Sequence, residues 1–239
     1  MHSLKPLRNK FSSTGRKESF MKHVHDFLNQ HITDHSIIGM GSGSTIEAYI
    51  PAAAEYIQKH DLDVTFVPTS TRTEKFLHDH RMTTSLDIEK IDFTIDGADH
   101  FTPSLSAVKG YGGALLREKQ IGYFSKDIII VAKEDKQTGS FEGLKIPVEI
   151  NPFLSELTKI QIEGISEAEI TDRLDGDDLF VTDNGNYIAD CRFRSIPDIS
   201  SLHNELINIP GVIETGIFDR FISQIVSFSD NDMVIHKNQ

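Results

Sequence analysis

Short apolar runs alternate along this chain with amphipathic stretches of helical length, and glycine-rich or hydroxyl-rich turns separate them. Residues 18–31 place Phe20, Val24, Phe27 and Leu28 at helical spacing, which predicts an amphipathic helix. The run from Ile37 to Met40 breaks into Gly41-Ser42-Gly43-Ser44-Thr45, and a helix follows from Ile46. Val64 to Val67 predicts a second strand, ending at Pro68-Thr69-Ser70-Thr71 before a helix from about Thr73. Ile91 to Ile95 predicts a third, stopping abruptly at Asp96-Gly97-Ala98-Asp99. From Asp127 to Ala132 an unbroken β-branched run marks a parallel strand buried on both faces. Strands alternating with helices argue for an α/β fold, a Rossmann-like and mainly parallel sheet.

The pattern changes at Leu144. Two prolines around the extended run 144–152 suit a linker or an edge strand. A helix over 153–163, strands around 167–171, 179–182 and 187–193, and a helix over 199–208 then compose a small α+β module. Asp183-Asn184-Gly185-Asn186 is a hairpin signal, because Asn-Gly tolerates positive φ at both central positions. The expected organisation is a flexible leader over 1–17, a catalytic domain over 18–144 and 214–239, and the smaller domain over 145–213. The tail is expected to return one strand, Met233 to Ile235, to the first domain.

Composition narrows the function. Hydrophobic content of 38% and charged content of 25% are those of a soluble globular protein. A net charge of −12 and a pI near 5.3 argue against nucleic acid as a partner, since a phosphate backbone demands a basic face. No membrane span or signal-peptide core is evident, which leaves the cytoplasm as the expected compartment. Cys191 is the single cysteine, so an internal disulfide or a cysteine-rich zinc site is excluded, and its alternating surroundings suit a half-buried structural thiol. His23 and His25 diverge on their helix, His78 and His80 look like surface, and no His/Asp set has ligand spacing. No metal and no cofactor are expected.

The chemistry concentrates in residues 91–119. Asp96-Gly97-Ala98-Asp99 is a strand-to-loop corner whose carboxylates sit at the mouth of a cleft or on plain surface. Lys109-Gly110-Tyr111-Gly112-Gly113 leads into the helix-prone run Ala114 to Lys119. Such glycines either let backbone N–H groups converge on an anion or make a tight turn before an ordinary helix. Glu118 then lies on the first turns of that helix, within reach of a ligand at its start. The turn at 41–45 also suits phosphate, but Ser44-Thr45-Ile46 breaks the dinucleotide fingerprint. Hydroxyls at 69–71 read as helix caps, as ligand donors, or as both.

Taken together, these segments resemble the type A ribose-5-phosphate isomerases, whose pattern is Asp-Gly-Ala-Asp-Glu, Lys-Gly-Gly-Gly, then Ala-Leu-x-Arg-Glu-Lys. The run 39–45 is similar to that family's Gly-x-Gly-Thr-Gly-Ser-Thr loop with Ser42 in place of Thr, and 182–188 and 209–218 match as well. The likeness runs from about residue 18 to the end and gives the small module a ferredoxin-like character. It implies interconversion of ribose 5-phosphate and ribulose 5-phosphate through an enediolate. Glu118 would be the base, Lys109 the oxyanion stabiliser, and Asp96 and Asp99 the groups handling hydroxyl protons and sugar orientation. Ser42, Gly43, Ser44, Thr45, Gly110, Gly112, Gly113 and Lys136 would hold the phosphate and sugar. Lys22 is either a solvated helix charge or, by its place in that family, a lysine near the phosphate. A homo-oligomer, dimer or tetramer, is implied by the likeness alone.

Three departures stand out: His100 replaces Glu, Tyr111 replaces Gly, and Lys133 replaces Asp. Tyr111 is the sharpest, because a glycine at positive φ could not become tyrosine without strain. The rival readings are a sugar-phosphate sensor domain, an isomerase of another phosphosugar, and a nucleotide-dependent oxidoreductase. The sensor should carry a basic helix-turn-helix, for which the short leader leaves no room, and would have no use for Glu118. The oxidoreductase is weakened by the failed fingerprint.

Overall fold

The computed structural model describes residues 8–10, 27, 30–229 and 232–237. The rest of the leader, most of the helix over 18–31, and Lys22, His23 and His25 lie outside the described residues. Phe27 is buried beneath the main sheet, its ring stacked on His31 at 4.3 Å and edge-on to Phe93 at 5.9 Å.

The main sheet takes up β1 (Arg8–Lys10), β2 (Ile37–Met40), β3 (Thr65–Pro68), β4 (Thr83–Thr84) and β5 (Phe93–Gly97). A side patch holds β6 (His100–Phe101) and β7 (Ala107–Val108), and β8 (Ile128–Lys133) returns to the main sheet. Helices α1 (Ser44–His60), α2 (Thr71–Asp79) and α3 (Leu115–Phe124) supply the crossovers after β2, β3 and β7. β8 shows why the sheet is buried on both faces. Its odd positions Ile129 and Val131 join the α1-side core, while Ile128, Ile130 and Ala132 join a second core with Phe101 and Phe218.

The second sheet is antiparallel, in the order β10 (Glu169–Asp172), β13 (Tyr187–Arg192), β9 (Lys145–Ile150), β14 (Val212–Thr215). Ile146, Val148 and Ile150 point one way from β9, against Ile162 of α4 (Ser155–Glu163) and Leu202 and Leu206 of α5 (Ile199–Ile207). A ribbon of β11 (Leu174–Asp175) and β12 (Asp178–Leu179) extends from it. The chain then pairs β15 (Ile217–Phe218) with β7 and closes the main sheet with β16 (Gln224–Phe228) and β17 (Asp232–Lys237).

Three expectations need correction. The run 144–152 is no linker or edge, because β9 is flanked by β13 and β14. Its Pro147 is tolerated because its carbonyl, accepting from the Gly216 amide at 2.7 Å, faces the side where the β14 ladder has already ended at Thr215. The strand expected over 179–182 is only Asp178–Leu179, since the Thr182 hydroxyl turns inward to Glu149 instead of extending a ladder. The tail returns two strands, and β16, parallel to β8, is the one the sequence reading missed.

The main sheet runs β1-β17-β16-β8-β5-β2-β3-β4, parallel from β16 to β4. The chain moves outward from β2 to β3 and β4, then crosses back to place β5 on the other flank of β2. Loops after β2 and β5 therefore diverge, and such a switch point opens a crevice at the carboxyl ends of the strands.

Candidate functional site

Asp96 ends β5 inside that crevice with no exposed surface, and Gly41 at the end of β2 makes room for it. A Cβ on Gly41 would meet the Asp96 Oδ1 at 2.0 Å. Asp96 Oδ1 accepts from the amides of Gly97 at 2.7 Å and Ser42 at 3.2 Å, so one carboxylate ties two loops together. The side patch β15-β7-β6 brings in the others. Asp99 lies just before β6 and Lys109 just after β7, and the Asp99 amide donates to the Val108 carbonyl at 2.9 Å.

Lys109 is buried, with Nζ 3.0 Å from Asp96 Oδ2 and 3.3 Å from Glu118 Oε2, and it donates to the Gly97 carbonyl. An ammonium has three donors. One is donated to the Gly97 carbonyl, and the two carboxylate oxygens stand at ion-pair distance. Glu118 occupies the first turn of α3 and is also buried. Burial pushes its pKa up to about 8, against the lowering effect of Lys109. Burial raises the Asp96 carboxyl too, again opposed by Lys109. For Lys109 burial works to lower the pKa, but the Asp96 and Glu118 charges prevail and raise it. Burial raises both carboxyls, and one cation does not offset the cost of ionising the two together.

Above this cluster lies a cavity of about 220 Å³. Every sequence-predicted site residue lines it except Asp96, which sits underneath, and Gly113. Gly113 serves the turn instead, at φ 83° with its amide donating to the Gly110 carbonyl at 3.0 Å. Ser44 and Thr45 open α1, whose N-terminal amides face the cavity rim. The Ser42 hydroxyl is engaged with Thr69, Ser70 and Thr73 hydroxyls at 2.8, 3.1 and 3.2 Å. Ser70 also caps α2 by accepting from the Thr73 amide at 3.0 Å, so the hydroxyls at 69–73 cap a helix and brace the loop. Lys136 donates to the Ala98 carbonyl at 2.6 Å from the far rim.

The departures are absorbed without strain. Positive φ falls on Gly110 and Gly113, not on Tyr111. The tyrosine hydroxyl donates to the Lys145 carbonyl at 3.0 Å, and its ring carries the Lys145 ammonium at 4.2 Å, away from the cavity lining. His100 meets the same ring edge-on at 5.8 Å, and Lys133 is exposed. Sequence reasoning missed Phe218, whose ring lies 5.5 Å from Lys109 Nζ and 5.1 Å from Lys119 Nζ and joins two buried lysines. It missed Arg173 as well. Arg173 carries no local motif, and Phe218, which ends the matched run 209–218, has no polar group to mark it; only the fold brings them to the site.

A larger recess of about 560 Å³ opens between α2 and α3, but Val67, Leu86, Ile91 and Phe124 give it an apolar wall and it holds no buried charge. Among the described residues no group of three or more His, Cys, Asp or Glu could hold a metal, and no helix is long and apolar enough to cross a membrane. Cys191 is fully buried, with burial raising its thiol pKa.

The fold and the cluster define a class: an open α/β protein whose switch point carries a buried lysine–carboxylate cluster beneath a polar cavity. The comparisons give the family. The model of ribose 5-phosphate isomerase A (phosphoriboisomerase A) matches residues 65–232, and the chain belongs to that family. It is 37% identical over 227 residues to a ribose-5-phosphate isomerase A of Staphylococcus haemolyticus, covering 93% of this chain and 98% of that one. With the Agrobacterium fabrum protein of the same name it shares 40% over 195 residues, 79% of this chain and 84% of that one. Among solved structures, the ribose 5-phosphate isomerase of Plasmodium falciparum superposes with a TM-score of 0.85 at 27% identity, covering 93% and 99% of the two chains. A D-ribose-5-phosphate isomerase in complex with phospho-erythronic acid gives 0.84 at 30% identity, covering 92% and 99%.

Proposed function

We propose that this chain interconverts D-ribose 5-phosphate and D-ribulose 5-phosphate, with Glu118 as the base, Lys109 as the oxyanion partner, Asp99 as the hydroxyl-handling group and Asp96 as the holder of Lys109. The observation that carries the reading is the single buried ammonium shared between Asp96 and Glu118. In the forward direction Glu118 takes the proton from C2 and the C–H electron pair moves into a C1–C2 double bond. The carbonyl π pair then settles on O1. As Glu118 becomes neutral it no longer needs the Lys109 charge, and the ammonium is released toward the new oxyanion. Glu118 returns the proton to C1 while the O2 hydroxyl proton passes to O1, by way of a carboxylate at the hydroxyls, and the O2–H pair becomes the C2 carbonyl, which yields the ketose. Asp99, at the cavity wall, suits proton exchange at the hydroxyls, and the buried Asp96 suits holding Lys109 in place.

The phosphate belongs at the rim, with Ser44, Thr45, the amides of Gly43 and Gly112, and Lys136 around it. Ser42 and Gly113 support that seat from behind, and Gly110 turns the loop. Family membership supports a cytoplasmic dimer or tetramer in which the module over 145–213 adjoins the site. A pure sensor would gain nothing from a Glu118 held near pKa 8 beside a buried ammonium. A coupled assay with ribose 5-phosphate tests the reading. Wild type turns over, and Glu118→Gln loses about a hundredfold or more in kcat. A folded wild type without turnover, or a Gln variant within a few-fold of it, defeats the assignment.

A further inference from the structure

The glycine loop at 110–113 is held from outside the main sheet. Arg173, in the stretch between β10 and β11, donates Nη1 to the carbonyls of both Gly110 and Tyr111, the latter at 3.0 Å. Its Nε and Nη2 face the two oxygens of Asp190 on β13, with Nε to Oδ2 at 3.1 Å. Both side chains are 10% exposed. A guanidinium bound on both edges in this way is fixed in its plane.

That plane sets the direction of two peptide groups. In a trans peptide the carbonyl and the following amide point opposite ways, and the structure has no cis bond among the described residues. With the Gly110 carbonyl on Arg173, the Tyr111 amide points away from it and donates to Asp99 Oδ2 at 2.9 Å. With the Tyr111 carbonyl also on Arg173, the Gly112 amide points away from the guanidinium. Gly112 lines the cavity, and its amide has no partner among the described residues. One guanidinium therefore orients the Gly112 amide, available to an anion, and, through the preceding amide of Tyr111, the carboxylate of Asp99.

We propose that Arg173, held by Asp190, is the positioning residue that aims the glycine loop at the substrate's anionic group and fixes Asp99 beside it. The inference deepens the isomerase reading and rests on its view of this cavity as the phosphosugar seat. Lysine cannot replace the side chain, because one ammonium cannot reach two carbonyls and both oxygens of a carboxylate in fixed directions.

The test measures kcat and KM for ribose 5-phosphate, and the Kd of inorganic phosphate by calorimetry, in wild type, Arg173→Ala, Arg173→Lys and Asp190→Asn, each checked for folding by thermal melting. Arg173→Ala raises KM and the phosphate Kd by about tenfold or more and lowers kcat through Asp99. Arg173→Lys recovers only part of this, and Asp190→Asn shifts KM the same way by less. Simple loss of folded protein would instead lower kcat at unchanged KM and Kd. Folded Arg173→Ala with KM and Kd within about twofold of wild type overturns the proposal. If the alanine variant does not fold, Arg173→Lys with wild-type KM and Kd overturns it equally. Wild type that binds phosphate in an Arg173-dependent way but does not isomerise would sink the isomerase reading and leave this one standing. Isomerisation indifferent to Arg173 does the reverse.

Discussion

At the scale of the residue, the protonation of the cluster follows from burial first and from the count of charges second. Asp96, Lys109 and Glu118 share a space nearly closed to water, and with one cation present Glu118 holds its proton up to about pH 8. A base must be ionised to act, so kcat/KM for the sugar phosphate rises with pH with a midpoint near 8. Stability moves the other way. The folded pKa lies above the ordinary glutamate value of 4.5, so the folded state holds a proton that the unfolded chain has lost. That contribution is whole below pH 4.5 and is lost as pH rises through about 8. Glu118→Gln lacks the titration, so its stability advantage over wild type grows from pH 5 to pH 9 in denaturant titrations (both values chosen to bracket the shift). A constant difference across that range would mean that Glu118 is ionised throughout. The gathering of Asp96, Asp99, Lys109 and Glu118 at one crevice was legible because each belongs to a short local motif. The consequence of Tyr111 was not, since φ at a glycine-rich turn is set by where the loop is pinned, and here Arg173 pins it.

At the scale of the element, the β2–β5 corner works because a glycine and a carboxylate occupy the volume of two ordinary side chains. Gly41→Ala puts a methyl group where the Asp96 carboxylate lies, with its Cβ 2.0 Å from Oδ1 and 2.6 Å from the Asp96 Cα. Backbone cannot retreat as a flexible side chain would, so the variant loses about 1–3 kcal/mol of stability. Displacing Asp96 also disturbs Lys109, and kcat falls by about tenfold or more with a smaller change in KM. Wild-type kcat in Gly41→Ala would show that Asp96 does not need this position. Glycines at 41 and 43 suggested an anion loop from sequence, and Gly43 does line the cavity. Gly41 has a different cause, a partner 55 residues away in the chain, which no window on the sequence contains. Long elements with clear periodicity were readable, as β8 and α1 show. β9 was misread because Pro147 within it and Pro152 beyond it suggest an edge until the end of the β14 ladder is known.

At the scale of the whole molecule, the two sheets meet through a turn that looked like simple hairpin punctuation. Asp183 accepts from the Thr71 amide and hydroxyl, both at 2.8 Å, at the start of α2. Arg117, next to Glu118 on α3, donates to the Asp183 carbonyl and to Asn184 Oδ1, both at 2.9 Å. From below, the buried Glu149 holds the same turn through Thr182 and Asn186, each at 2.9 Å. The Asn-Gly signal gave the turn, and only the fold gave its use as a dock for two helices of the other sheet. An acid at a helix start satisfies amides that lack an intrahelical partner. Asp183→Ala therefore costs about 1 kcal/mol and lowers Tm by about 2–4 °C. Ser42 is braced by Ser70 and Thr73 and not by Thr71, so KM for the sugar phosphate changes by less than about twofold. Arg117→Ala loosens the same turn from the α3 side. If the turn docks as a unit, the double variant loses less stability than the two single losses added together, because the second change acts on a turn already released. Denaturant titrations of the four proteins decide it: strict additivity would mean that Asp183 and Arg117 hold the turn independently, and that the small sheet is tied to each helix by a separate contact.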